Sequence, residues 1–321
     1  MQTIKMSFLF NYDMRNTLIF ELFKIFSKKK IEIVPVDQCD ILIFGPYDTY
    51  SIKRKFLKFI KKKVKKIENF FPNIDFYLIN RKIKPLKVFH TFENYYPTVD
   101  IQYDFAITSY LGVDNKNHLR FPMWKEHIDW SHLGIKKDLS DGTKRFGSFY
   151  NIQDLMKPQG NTFLNKERKI CLITSHLNEP RKSMYEIFSK KFIVDGYGPY
   201  FDKKIFNHNL SDFNKQNILG KYTFNLCPEN NLYPGYYSEK IPDAFIGKCL
   251  PLSWADNNVN HDFNENSFIN LLNYSKDNYD EICNLLGDDN FLKKYTNQPL
   301  ILKEPSLNDE INFITKMISS L

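Results

Sequence analysis

The chain has 321 residues, of which 42% are hydrophobic and 16% aromatic, and a formal net charge of +8 at pH 7. This composition indicates a globular protein of one large or two ordinary domains and excludes a disordered chain. The positive charge favours an anionic partner such as a nucleotide, a membrane surface or a nucleic acid. Because no apolar run approaches the roughly 20 residues that a membrane-spanning helix needs, we expect a cytoplasmic protein.

The first half of the chain alternates short apolar runs with a segment of helical periodicity, Met14–Lys28, which predicts a parallel sheet. The predicted strands are Ile4–Phe10, Ile31–Val36, Asp40–Phe44, Ile74–Asn80, Lys87–Phe92, Tyr103–Ser109 and Leu119–Met123. Residues 151–168 have few apolar residues at any regular period, so we interpret them as a linker between two domains.

Lys53–Phe71 is a basic segment of helical periodicity, with nine Lys or Arg residues between Lys53 and Lys66. The simplest interpretation is a surface helix whose basic face is solvated. The alternative is attraction to anionic lipid head groups, which would place the protein peripherally at the inner face of a membrane. No nucleic-acid-binding motif accompanies the segment, and charge alone does not read bases, so we predict no nucleic-acid partner.

The alternation restarts after the linker. Predicted strands are Ile170–Thr174, Lys191–Val194, Tyr222–Cys227, Cys249–Trp254 and Phe268–Leu272, and predicted helices are Arg181–Lys190, Glu239–Ile246, Tyr279–Leu286 and Leu307–Leu321. Two sheet-and-helix halves would leave a cleft between them, where small molecules usually bind. The five cysteines are widely spaced without a CxxC pair, and we interpret them as reduced core residues.

The stretch Lys221–Trp254 has the pattern strand, polar loop, helix and strand. Ser238 is placed to cap a helix that begins with Glu239 and Lys240. Nucleotide phosphates bind at such helix starts on the carboxyl edge of a parallel sheet. Lys240 is therefore a candidate partner of a diphosphate, and Glu239 a candidate acceptor for ribose or sugar hydroxyls, although the same residues are also typical of a plain helix start.

Two residues elsewhere are candidates for chemistry. Arg181 follows a strand and loop, where it can make a bidentate contact with a phosphate, although it can equally be a surface arginine. Glu93 follows a predicted strand in aromatic surroundings, where a carboxylate can serve as a general base. The histidines show no convincing metal-ligand spacing, so we assign no metal site.

Several motifs occur in the order found in a known family. FNLCPEN at 224–230 and YYSEKIPDAF at 236–245 precede Leu250–Trp254, and an F-E-N segment at 92–94 comes earlier in the chain. Together these segments resemble the α-1,3/α-1,4-fucosyltransferases of glycosyltransferase family ten, bacterial type. Weaker matches in the same order are Tyr103–Ile107, Leu119–Trp124, Ile170–Arg181 and Asn266–Asn270.

This resemblance implies an α/β fold of the GT-B class, with two Rossmann-like domains whose parallel sheets face each other across a cleft. The acceptor-binding domain would be 1–150, followed by the linker 151–168 and a GDP-sugar-binding domain at 169–321, whose last helix can pack back on the first domain. The implied reaction is inverting transfer of L-fucose from GDP-fucose to a hydroxyl of an oligosaccharide or glycolipid, such as N-acetylglucosamine in lipopolysaccharide. A transferase for another GDP-linked deoxysugar, or a non-catalytic glycan- or membrane-binding protein, remains an alternative.

The resemblance also implies roles for individual residues. Glu93 falls on the position of the general base, and Arg181 and Lys240 fall on positions that bind the diphosphate. The remaining donor-binding positions are Glu229, Asn230, Tyr236 and Glu239. GDP-fucose would be the donor substrate, and a stimulatory divalent metal is left open with no site assigned.

Four residues depart from the family pattern. Pro228 replaces a phenylalanine, Ser238 replaces a threonine, and Phe92 replaces the glycine before the base, while His90 occupies an aromatic position. Because His90 and Phe92 fall beside the reacting sugar in the family, they are the candidate pocket residues for the choice of sugar and acceptor.

Overall fold

The computed structural model describes residues 3–9, 14–46, 84–95, 102–138, 144–201, 212–274 and 279–321. The predicted strand Ile74–Asn80 and the basic segment Lys53–Phe71 lie outside these ranges. The chain divides into two compact units. The first comprises Met1–Pro122, Trp130–Phe146 and Ser306–Leu321, and the second comprises Met123–Asp129 and Gly147–Pro305.

The described residues of the two units form the following strands and helices. The strands are β1 (Thr3–Phe8), β2 (Lys30–Ile33), β3 (Ile41–Phe44), β4 (Leu86–His90), β5 (Phe105–Thr108), β6 (His118–Arg120), β7 (Ile170–Ile173), β8 (Val194–Tyr197), β9 (Phe224–Leu226), β10 (Leu250–Ser253) and β11 (Ile269–Asn270). The helices are α1 (Leu18–Phe26), α2 (Ile152–Leu155), α3 (Arg181–Phe188), α4 (Asp212–Leu219), α5 (Lys240–Ile246), α6 (Tyr279–Leu285), α7 (Asp289–Leu292) and α8 (Asn308–Ser319).

The first unit is built on a six-stranded sheet of order β2-β1-β3-β4-β5-β6, and its neighbouring strands pair in parallel. Strands β3 and β5 are buried along their whole length, as expected for a parallel sheet covered on both faces. Thr17 caps helix α1 by accepting a hydrogen bond from the Phe20 N–H. Helix α8 packs against α1, and Phe313 of α8 meets Phe105 edge to face at 5.5 Å.

The second unit is built on a five-stranded parallel sheet of order β11-β10-β9-β7-β8. Alternate residues of its strands enter two apolar clusters, because successive side chains point to opposite faces of a sheet. One cluster contains Ile170, Leu172 and Phe224, whereas Cys171 joins Ala244 of α5 in the other. The prediction of reduced core cysteines is confirmed, since all five are free and buried.

Two sequence boundaries differ from the structure. Strand β8 lies about three residues later than predicted, because Val194 pairs with Ile170 and Tyr197 with Ile173 of β7. Residues 151–168, expected as a linker, lie within the second unit, where Leu155 and Phe163 are fully buried. Apolar residues are sparse in this segment, so its periodicity does not indicate the burial of these two side chains.

Within the described ranges, no helix is both long and apolar enough to cross a membrane.

Candidate active site

The candidate residues of the second unit meet at the carboxyl ends of β7 and β9. These strands are neighbours in the sheet, so the loops that follow them come together. The loop after β7 leads to Arg181, the first residue of α3, and the loop after β9 leads through Glu229 and Asn230 to Lys240, the first residue of α5. The structure thus brings together the donor-binding residues predicted from separate motifs.

Glu229 is the centre of this cluster. Its side chain is 1% exposed, and one oxygen accepts hydrogen bonds from the Ser238 N–H at 2.8 Å and the Ser238 hydroxyl at 2.9 Å. Its other oxygen accepts from Lys240 Nζ at 2.9 Å. The carboxylate is therefore placed to orient Lys240 rather than to contact a ligand itself.

The side chain of Lys240 is partly exposed and lies close to two carboxylates, Glu229 and Glu239. Its Nζ donates to Glu229 and, at 2.9 Å, to the Ser238 hydroxyl, which takes up two of its three N–H donors among the described residues. Burial by itself lowers the pKa of this ammonium, but Glu229 and Glu239 outweigh burial and raise it above its ordinary value. Lys240 thus stays charged and retains one N–H for an anionic ligand.

Arg181 is fixed by three hydrogen bonds from its guanidinium. Nη1 donates to the Thr174 hydroxyl at 3.0 Å and to the His176 carbonyl at 2.8 Å, and Nη2 donates to the Asn230 side-chain oxygen at 3.0 Å. Within the described ranges, two of its five N–H groups therefore remain for a ligand. Asn230 in turn donates to the Tyr236 hydroxyl at 3.3 Å.

Glu239 directly precedes Lys240 in the chain, and its side chain is also partly exposed. Burial raises the pKa of its carboxyl, but Lys240, Lys215 and His127 more than compensate and lower it to about 2. Its carboxylate therefore carries a full charge at neutral pH, in the form that accepts hydrogen bonds from hydroxyl groups.

The predicted role of Ser238 as a helix cap is wrong. Helix α5 begins at Lys240 with Glu239 at the capping position, and the Glu239 side chain makes no capping hydrogen bond. The Ser238 hydroxyl instead bonds to Glu229 and Lys240, because Ser238 is 1% exposed and lies against the buried carboxylate.

The candidate residues of the first unit lie at the end of β4, one of the inner strands of its sheet, and in the loop that follows it. Glu93 is half-buried, and its N–H donates to the Thr91 hydroxyl at 2.9 Å. His90, the last residue of β4, is buried and meets the Phe92 ring edge to face at 4.7 Å. Burial lowers the pKa of His90 to about 3, so its imidazole is neutral at physiological pH.

Sequence reasoning missed three residues that surround Glu239: Lys215 of α4, Asp243 of α5 and Tyr150. Asp243 lies four residues after Glu239, a spacing that puts the two on the same helix face and could have been noticed. Lys215 and Tyr150 come from distant segments, and no local pattern marks them. No group of three or more potential metal ligands was found among the residues that the structure describes.

Comparison with known structures identifies the fold of this chain. A crystal structure of an α1,3-fucosyltransferase with GDP-fucose matches 99% of this chain and 91% of its own, with a TM-score of 0.65 and 19% identity. The chain therefore has the GT-B glycosyltransferase fold, as the sequence motifs implied.

The sequence comparisons find similarity to one family of glycosyltransferases. Residues 163–297 match the model of the C-terminal domain of glycosyltransferase family 10 (fucosyltransferase). The α-(1,3)-fucosyltransferase FucT of Helicobacter pylori is 27% identical over 216 residues, which are 61% of this chain and 42% of the relative. The 4-galactosyl-N-acetylglucosaminide 3-α-L-fucosyltransferase 9 of Bos taurus is 26% identical over 115 residues, 35% of this chain and 31% of the relative.

These matches confirm the resemblance to the fucosyltransferases. The chain spans less than half of the length of both curated relatives. Arg181, Glu229, Asn230, Tyr236, Glu239 and Lys240 all lie inside the segment that matches the family domain.

Proposed function

We propose that this protein is an inverting glycosyltransferase that moves L-fucose from GDP-fucose to a hydroxyl of an acceptor glycan. The observation that carries the proposal is the pair Arg181 and Lys240. They are held at one sheet edge inside the segment that matches the family model, and each keeps N–H donors that no described residue takes up. The second unit would be the donor-binding domain and the first the acceptor-binding domain.

The donor half of the mechanism rests on charge. Arg181 and Lys240 would bind the diphosphate of GDP-fucose and stabilise the negative charge that develops on GDP as it leaves. Both groups are held by protein partners before a ligand arrives, so little reorganisation is needed during the reaction. Glu239 would accept hydrogen bonds from hydroxyls of the nucleotide or the sugar.

The acceptor half rests on Glu93. Its carboxylate would take the proton of the acceptor hydroxyl while that oxygen attacks the anomeric carbon of fucose. The bond from this carbon to the β-phosphate oxygen breaks, and GDP leaves with the electron pair. Attack on the face opposite the departing GDP inverts the configuration at the anomeric carbon.

The acceptor would present N-acetylglucosamine in an oligosaccharide or lipopolysaccharide. The name of the bovine relative supports this choice, since it describes a galactosyl-N-acetylglucosaminide as the substrate of that enzyme. His90 and Phe92 would shape the pocket for the sugar or the acceptor.

A turnover assay tests the proposal. The wild type should release GDP from GDP-fucose when given N-acetylglucosamine-containing oligosaccharides. Glu93→Gln should lower kcat by ~10²–10⁴-fold, because a general base contributes about that much, and should leave GDP affinity unchanged. Glu265→Gln, at an exposed glutamate of the second unit, is the matched control and should behave as the wild type.

Two results would count against this function. If the protein turned over another GDP-sugar in preference to GDP-fucose, the assigned donor would be wrong, although the reaction would still be a glycosyl transfer. If GDP did not raise the melting temperature, the assignment of the donor site would be refuted, because a ligand that binds the native state stabilises it.

A further inference from the structure

Helix α4 contributes a lysine to the surroundings of Glu239. The Nζ of Lys215 forms an ion pair with one oxygen of Asp243 and lies 3.8 Å from an oxygen of Glu239. The side chains are 28% exposed for Lys215, 3% for Asp243 and 21% for Glu239. One ammonium therefore stands between a buried carboxylate and a carboxylate that a ligand can reach.

Asp243 also bonds to a second residue, Tyr150. Its other oxygen accepts a hydrogen bond from the Tyr150 hydroxyl, and the Tyr150 ring stacks on His127 with centroids 5.9 Å apart. Tyr150 is 2% exposed, so this support is buried. The position of Lys215 is consequently fixed by a chain of contacts that begins far from Glu239 in the sequence.

We propose that Lys215 is a positioning residue for donor binding, which holds the Glu239 carboxylate toward the hydroxyls of the GDP-sugar. This inference rests on the proposed function and extends it to a residue outside the motifs. Lys215 would not touch the donor. It would act through Glu239, while Asp243 and Tyr150 keep its ammonium at the required place.

The electrostatics of the group agree with this arrangement. Burial tends to lower the pKa of Lys215, but Asp243 and Glu239 raise it above its ordinary value, so the ammonium stays charged. A buried ion pair that served stability alone would be replaceable by neutral groups at little cost. A cation needed to orient Glu239 would not be replaceable in this way.

A variant that removes both charges of the ion pair distinguishes a purely stabilising role from a role in orienting Glu239. Lys215→Met leaves Asp243 buried without a cation, so it is compared with the double variant Lys215→Met/Asp243→Asn, which removes both charges together. Lys215→Arg keeps the positive charge. Lys221→Met is the matched control, because Lys221 is an exposed lysine two residues after α4.

Steady-state kinetics with GDP-fucose measure the effect. We expect the double variant to melt near the wild-type temperature, yet to show a KM for GDP-fucose raised about tenfold or more, as a lost charge-assisted contact would give, with kcat within about threefold. Lys215→Arg should restore most of the affinity, and Lys221→Met should match the wild type.

A double-mutant cycle shows whether Lys215 acts through Glu239. In a Glu239→Gln background, adding the double variant should raise KM no further, because the group that Lys215 positions is already changed. Additive effects, or a double variant with the wild-type KM, would overturn the inference while leaving the proposed function intact. A wild type that does not turn over GDP-fucose would instead refute the proposed function.

Discussion

Replacing Glu229 by glutamine tests whether this buried carboxylate organises the site. The substitution keeps the size of the side chain and removes its charge. In the wild type the carboxylate accepts hydrogen bonds from the Ser238 N–H, the Ser238 hydroxyl and Lys240, all at 2.8–2.9 Å. A glutamine amide turns an NH₂ group toward one of these donors, so at least one hydrogen bond is lost.

The cost follows from the contacts of Lys240. Removing one partner of a buried ion pair typically costs ~3–5 kcal/mol. Lys240 is 22% exposed and keeps Glu239 as a neighbour, so we expect a smaller value of about 2–4 kcal/mol. For a unit of this size each kcal/mol corresponds to roughly 2–4 °C in melting temperature. The affinity for GDP should fall at least about tenfold, because Lys240 is no longer held in one orientation.

Urea unfolding and isothermal titration with GDP measure both effects. Glu265→Gln serves again as the control for loss of one negative charge in the same unit. If Glu229→Gln lost stability but bound GDP like the wild type, Glu229 would not be what orients Lys240. If it lost GDP affinity at wild-type stability, Glu229 would contact the ligand directly.

Three further predictions test other parts of the structure. Arg181→Lys keeps the charge but loses the fixed guanidinium, so calorimetry should show GDP affinity reduced about tenfold or more at nearly unchanged melting temperature. Gly198→Ala should unfold at lower urea concentration than Gly160→Ala. Both glycines have positive φ, but of the two only Gly198 would bring the added Cβ into collision with a backbone oxygen, that of Thr174. Burial lowers the pKa of His90 to about 3, so below about pH 6.5 the unfolded chain binds a proton that the folded chain does not. The free energy of unfolding of the wild type should therefore fall by up to about 1.4 kcal/mol per pH unit as the pH decreases. In urea unfolding between pH 7 and pH 5, His90→Gln should lose less stability than the wild type.

Each of these three has an outcome that would contradict it. An Arg181→Lys protein with wild-type affinity would show that charge alone suffices there. Equal stability of the two glycine variants would mean that the loop moves away from Thr174 at little cost. For the pH series, His132→Gln is the control because His132 is exposed, and an unchanged pH dependence in His90→Gln would show that other groups cause the loss.

The sequence was most informative where function depends on residues that are close in the chain. Short apolar runs alternating with helical periodicity predicted two parallel sheets, because strand burial is a local pattern of side chains. The loops after β7 and β9 were also recognisable, and parallel strands bring such loops to one edge. In the structure Arg181 donates a hydrogen bond to Asn230, and Lys240 donates one to Glu229 in the same loop.

The sequence was misleading where a side chain could bond either to its own helix or to a more distant residue. Serine is a common helix cap, yet Ser238 bonds to Glu229, nine residues earlier. The position of Glu229 depends on the pairing of the chain after β9 with β10, where the Glu229 N–H donates to the Trp254 carbonyl at 3.1 Å. Such pairing is a property of the assembled sheet, and a local pattern does not contain it.

The sequence by itself determined the fold class and the family resemblance, and it supplied the candidate residues for holding a diphosphate. Only the tertiary structure decided how those residues are held: Glu229 under Lys240, and Lys215 between Asp243 and Glu239. The physical reason is that buried charges need partners of opposite sign or hydrogen bonds, and the folded chain supplies them from whichever segments pack together. Lys215 of α4 meets α5 in this way, although Glu239 lies 24 positions later in the chain.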